Sequence, residues 1–226
     1  MDNSLGNWVF LSHVWGESCP PYGEGKRIQL TRIRNMELGD SCNSYEFTAS
    51  NHIGTHYDFP NHFDHFGKIV TDYQPNSFIH NDIGFINLNL NFGDTLDVEK
   101  IKGNINFISN NITLLLIRTG ISRFRNNDIR YSTIGVPVSE GVAAFLRTRF
   151  PFLTTIALDF ISISSFSNRQ LGRKVHQEFL KNDNPILIIE DANFEPLCQK
   201  TPSIVVSLPL RIENGDGAPV TIIAKV

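Results

Sequence analysis

The second half of this chain alternates between helical and strand periodicity, and few folds accommodate that alternation. Thr155 to Phe160 and Ile186 to Ile189 read as buried strands. Before the first, Val142, Ala143, Leu146 and Phe150 recur at helical spacing, with Ser139 as the expected N-cap and Pro151 as the stop. Between the two strands, Gln170 to Lys181 reads as an amphipathic helix with Leu171, Val175 and Phe179 on one stripe. The first half carries strand signals instead: Trp8 to Val14, a half-buried alternation over Arg27 to Arg34, then Gly84 to Leu90 and Ile112 to Arg118. Cys19 to Gly23 must be a loop, and Ser203 to Ile212 and Pro219 to Val226 close the chain as strands. The expected architecture is α/β, a single domain over residues 1–226 with a central mixed β-sheet flanked by helices.

Composition supports that size of core and removes several function classes. Of 226 residues, 41% are apolar and 19% charged, which suits a packed domain and not a disordered chain. Lysine and arginine total 20 against 23 acidic residues, so binding nucleic acid through bulk positive charge is not expected. The longest apolar stretch, Leu114 to Ile117, is far too short to span a membrane, and Met1 to Gly16 lacks the features of a secretory leader. Cys19, Cys42 and Cys198 are scattered and form no Cys-x-x-Cys pair. A cytoplasmic protein with free thiols, acting on a small molecule, is the expectation.

Chemistry concentrates in one segment. Four of the seven histidines are His52, His56, His62 and His65, with Asp58 among them. Imidazole and carboxylate together are ligands for zinc, manganese or iron(II). Gly54, the β-branched Ile53 and Thr55, and Pro60 disfavour a helix here. A straight strand from 52 to 62 would span about 33 Å, too long for one metal centre. The segment must therefore bend, and Gly54 and Pro60 are the residues able to bend it. His52, His56 and Asp58 are the expected ligands of one ion. His62, past the proline, is expected at the edge of the site, free for proton transfer or a second metal.

The pattern His52-x-Gly54-Thr55-His56-x-Asp58-x-Pro60-x-His62 resembles the signature of the cyclase family of metal-dependent hydrolases, which includes bacterial kynurenine formamidases and isatin hydrolases. Further resemblance lies in Leu11-Ser12-His13, Pro21-Tyr22-Gly23, Leu115 to Gly120, Gly135 to Ser139, Ala157-Leu158-Asp159, and in His176 and Glu190. It implies a swivelling β/β/α fold and a homodimer or homotetramer. It also implies one or two divalent ions per chain, Zn²⁺ or Mn²⁺. In a two-ion form Asp58 and Glu190 would bridge to the second ion, with His176 completing it. His62 would be the proton donor and acceptor, and Tyr22 would contact substrate.

The implied activity is metal-dependent hydrolysis of a C–N bond, other than a peptide bond, in a small formamide or cyclic amide, as in an arylformamidase. An ion that lowers the pKa of bound water from about 16 toward about 7 makes such a reaction possible at neutral pH. The alternatives are a cyclase or lactonase acting on C–O bonds, and a catalytically inactive metal-binding protein. Two departures leave the substrate open: Ser162-Ile163-Ser164 lacks the acid of the Ser-x-Asp usual in the kynurenine formamidases, and Tyr22 stands where they tend to have tryptophan.

Overall fold

The structure, a computed structural model, describes residues 6–226, so the start of the Met1–Gly16 leader reading lies outside it. Among the described residues eleven strands form, in chain order: β1 (Trp8–Phe10), β2 (Gln29–Arg34), β3 (Ser44–Thr48), β4 (His56–Asp58), β5 (Ile79–His80), β6 (Ile83–Asn87), β7 (Leu114–Arg118), β8 (Thr155–Leu158), β9 (Leu187–Glu190), β10 (Ile204–Pro209) and β11 (Gly217–Lys225). The α-helices are α1 (Val98–Lys102), α2 (Arg130–Thr133), α3 (Val142–Arg149) and α4 (Arg169–Leu180). Nine strands make one mixed sheet in the order β5-β10-β11-β4-β9-β8-β7-β6, with β1 pairing the end of β11 beyond β4. Strands β6 to β9 run parallel, and β9-β4-β11-β10-β5 continue antiparallel.

The parallel strands are aliphatic throughout because both of their faces are buried. Leu115, Ile117, Ile156, Leu158 and Ile188 face a cluster that includes Leu146, Val175 and Phe179 of the helices. Leu114, Leu116, Ala157, Leu187 and Ile189 face the other way, into a cluster with Tyr57, Val205, Ala218, Val220 and Ile222. Since that second set comes from the antiparallel strands of the same sheet, the sheet curls on itself almost into a barrel. The mixed sheet flanked by few helices is the architecture expected from the sequence. Among the described residues, no helix is long and apolar enough to cross a membrane.

Two local expectations change. The strand over Arg27 to Arg34 was expected to be half-buried, but all six residues of β2 are exposed. It pairs with β3, with a register shift between Arg32 and Arg34, and this ribbon stands off the main sheet; of the expected inward set Ile28, just before β2, is buried against Cys19 and Ile53, while Leu30 and Arg32 are exposed. Helix α3 starts at Val142 with Gly141, φ +85°, at the cap position. The Ser139 backbone N–H instead donates to the Leu96 carbonyl, which draws it into a strand-like bridge and away from the helix.

His80 on β5 is buried, and burial pushes its pKa down to about 4. Its Nδ1 bonds Thr113 Oγ1 at 3.0 Å, and its Nε2 has no partner. Between pH 6.5 and about 4 the unfolded chain protonates this imidazole and the folded chain does not, so stability falls as pH drops through that window. The expected loss from this residue is about 3 kcal/mol once pH is below 4. In denaturant titrations at pH 7 and pH 4, His80→Gln should show a smaller acid-induced loss than the parent; parallel losses would refute the assignment.

Candidate metal centre

The bend expected in the histidine segment is present. Gly54 takes φ +73°, with Trp15 and Cys19 packed where a Cβ would stand, so a larger residue is excluded on both counts. Three residues of strand follow, and Pro60 then opens a 3-10 turn over Pro60–His62 that folds His62 back toward His52. Their rings stack at a centroid distance of 4.0 Å. On β4, His56 and Asp58 share one face while Tyr57 points into the curled interior. Cross-strand pairing sets His56 opposite Glu190 at the carboxyl end of β9. His176 comes from α4, beside Val175 of its apolar stripe.

His56, Asp58, His176 and Glu190 are all buried, and His52, His62 and Tyr22 are half-buried. All seven sequence-predicted residues line one pocket of about 440 Å³. His56 Nδ1 donates to the Gly54 carbonyl at 2.8 Å, and His176 Nδ1 to the Gly172 carbonyl at 2.7 Å. These bonds hold a proton on each Nδ1 and turn each Nε2 to the centre, where it is the atom that would meet an ion. His56 Nε2 lies 3.4 Å from Asp58 Oδ1 and 3.6 Å from Glu190 Oε2. His176 Nε2 lies 3.5 Å from Asp58 Oδ2 and 3.6 Å from Glu190 Oε1. Two ligands held at 2.0–2.1 Å on tetrahedral positions sit about 3.3 Å apart, so this donor spacing fits a shared ion.

The electrostatics point the same way. Burial works against charge on His176, but hydrogen bonding to Asp58 and Glu190 overcomes it and raises the pKa to about 10. His52 behaves alike: Asp216 and Asp58 outweigh burial and hold it at about 10. The same histidines hold the Asp58 carboxyl well below its usual range in spite of complete burial. Two buried carboxylates among these imidazoles make the cavity one that favours positive charge, and a dication would compete with protons for the same nitrogens. Among the described residues three donor groups could hold an ion: His52, His56 and Asp58; Asp58, His176 and Glu190; and His52, His62 and Asp216. The first two share Asp58, as the two-ion form requires.

Asp216 is absent from the sequence reading. It lies in Asn214-Gly215-Asp216-Gly217, which by sequence is a turn before the last strand. In the fold, β11 pairs with β4, setting Gly217 opposite Asp58, and Asp216 accepts from His62 Nδ1 at 2.8 Å and from His52 Nε2 at 3.2 Å. Gly217 has no side chain because the His52 ring fills that space. No local signal ties position 216 to position 62, so only the strand pairing reveals it. Ser164, at the position of the missing acid, bonds the Tyr22 hydroxyl at 2.9 Å. His65 is exposed and outside the pocket, and His13, which does not line it, donates its backbone N–H to Thr55 Oγ1 at 2.9 Å.

The Cyclase family model, described as "Putative cyclase", matches residues 9–164. A kynurenine formamidase of Geobacillus thermodenitrificans is 29% identical over 216 residues, which cover 94% of each chain. Isatin hydrolase A from Labrenzia aggregata, solved with benzyl benzoate, superposes with a TM-score of 0.78 at 18% identity, covering 96% of this chain and 93% of that one. A structure titled as a potential metal-dependent hydrolase with cyclase activity gives 0.71 at 20% identity, covering 96% and 98%. The two structural likenesses establish a common fold.

Proposed function

Because this chain belongs to the cyclase family, we propose that it is a metal-dependent hydrolase of a C–N bond in a small formamide or cyclic amide, of the arylformamidase kind. The observation that carries this reading is the enclosure of His56, Asp58, His176 and Glu190 in one buried centre with both Nε2 atoms turned to the carboxylates. His52, His56 and Asp58 would hold one Zn²⁺ or Mn²⁺ ion, and Glu190 and His176 would share Asp58 in holding a second. Such an ion supplies Lewis acidity, lowering the pKa of water and polarising the substrate carbonyl. The kynurenine formamidase relative, aligned over 94% of both chains, supports amide hydrolysis as the reaction.

The chain's own groups then divide the work. Asp216 accepts the Nδ1 proton of His62, which leaves Nε2 of that ring as a base facing the pocket. His62 Nε2 takes a proton from the attacking water and returns it to the leaving nitrogen as the C–N bond breaks. Tyr22 and Phe63 wall the pocket against an apolar part of the substrate. The exposed apolar residues of the ribbon, Ile33 and Phe47 among them, support a homodimer or homotetramer, and the reading is of a cytoplasmic enzyme.

The test joins metal content to turnover. Protein purified without tag or chelator, then incubated with zinc or manganese, should hold one or two equivalents and hydrolyse N-formylarylamines. His62→Ala should retain the metal and lose turnover by about 10²–10⁴-fold. Failure of the parent protein to take up either metal would sink the reading.

A further inference from the structure

The metal-facing groups leave the mouth of the same pocket unexplained. It carries three cations, Lys26, Arg169 and Arg173, while its lining carboxylates are Asp58 and Glu190, both buried among the histidines on its floor. Among the described residues, none of the three cations forms an ion pair. The acids near α4 are engaged away from the pocket: Glu140 faces Lys174 at 3.6 Å, and Glu178 accepts from the Gly141 N–H at 2.9 Å. The surplus is local, since the chain as a whole has a net charge of −3.

Unpaired surface cations are ordinary; here their placement is built. Gly172 brings α4 directly against Ser164, which occupies the space a side chain at 172 would need. That close approach lays Arg169, Arg173 and His176 along one wall of the pocket, at helical spacing. The Arg169 guanidinium stands 5.7 Å from the centre of the Phe166 ring, and Phe166 meets Tyr22 edge-on at 5.7 Å. Tyr22, Arg169 and Arg173 line the same pocket, so both arginines border the surface assigned to substrate.

Building on the amidohydrolase reading, we infer that Arg169 and Arg173, with Lys26, form an anion subsite, and that the substrate is a small amide bearing a carboxylate and no ammonium group. A dication on the floor is balanced by Asp58 and Glu190, which leaves the mouth positive and able to draw in an anion. The guanidinium fork matches a carboxylate. An α-ammonium would find no free acid in the lining to receive it.

Three matched probes test this: 3-formamidophenylacetate, its α-amino counterpart 3-formamidophenylglycine, and neutral 3-methylformanilide. The metal-loaded protein should prefer the phenylacetate over the neutral probe by about 100-fold in kcat/KM, roughly tenfold per arginine and carried by KM. The phenylglycine should fall at least about fivefold below the phenylacetate. In Arg169→Gln/Arg173→Gln the anionic-to-neutral ratio should drop toward one, and Arg169→Lys/Arg173→Lys should restore part of it. Equal rates on the anionic and neutral probes, a phenylglycine as good as the phenylacetate, or a preference that survives in the glutamine variant would each overturn the subsite. If no probe is hydrolysed while metal is held, the hydrolase reading fails separately. Calorimetric binding of the three probes then decides the subsite by the same ratios and variants.

Discussion

Asp58→Asn is expected to erase the metal-dependent stability of this protein. Asp58, like His52, serves two of the candidate donor groups, and it is the carboxylate shared by the buried pair of groups; it is fully buried with His52 Nδ1 at 2.7 Å on one oxygen. An ion that binds the folded chain alone stabilises it by about 4 kcal/mol at a thousand times its dissociation constant. For a chain of this size that is a rise of about 8–16 °C in Tm. Asparagine keeps the shape but removes the charge, so the neighbouring imidazoles lose the anion that makes the cavity attractive to a cation. Scanning calorimetry of parent and variant, with chelator and with excess zinc or manganese, measures the effect. A shift of the same size in Asp58→Asn would show that the ion sits elsewhere.

Arg125→Met is expected to lower Tm by about 6–20 °C, corresponding to a loss of about 3–5 kcal/mol. Asp191 follows Glu190 directly and is 0% exposed. Arg125 donates through Nε at 2.8 Å to one of its oxygens and through a terminal nitrogen at 2.6 Å to the other, and the Tyr131 hydroxyl donates at 2.6 Å. The carboxylate also belongs to a residue at φ +54°, a conformation held only because its surroundings determine it. Removing the guanidinium strands a buried charge. Arg125→Met/Asp191→Asn, which removes both, should recover a large part of the loss. A single variant as stable as the parent would mean that Asp191 finds another partner.

Much of the site was legible because its residues are close in sequence and its conformational devices are local. Gly54 and Pro60 show that the His52–His62 segment bends, since one favours a positive φ and the other cannot continue a strand ladder. His176 and Glu190 were legible only through the family pattern. A histidine beside an apolar helix stripe and an acid at a strand end are each ambiguous without their partners. The half-buried reading of Arg27 to Arg34 held at Ile28 and failed beyond it for a related reason: alternation reports that a strand has two different faces, and does not report how far a core lies against either one.

The chain's own pattern thus determined the aliphatic strands, the helices between them, the bent histidine segment and the ligand types it presents, because each depends on residues a few positions apart. Tertiary structure alone decided what meets those ligands. Pairing of β11 with β4 carries Asp216 to His62 across 154 positions, and the bare contact of Gly172 with Ser164 swings Arg169 and Arg173 over the pocket. These contacts depend on strand register and on the closeness of helix to sheet. Both are settled by packing of the whole core, and no local stretch of sequence encodes them.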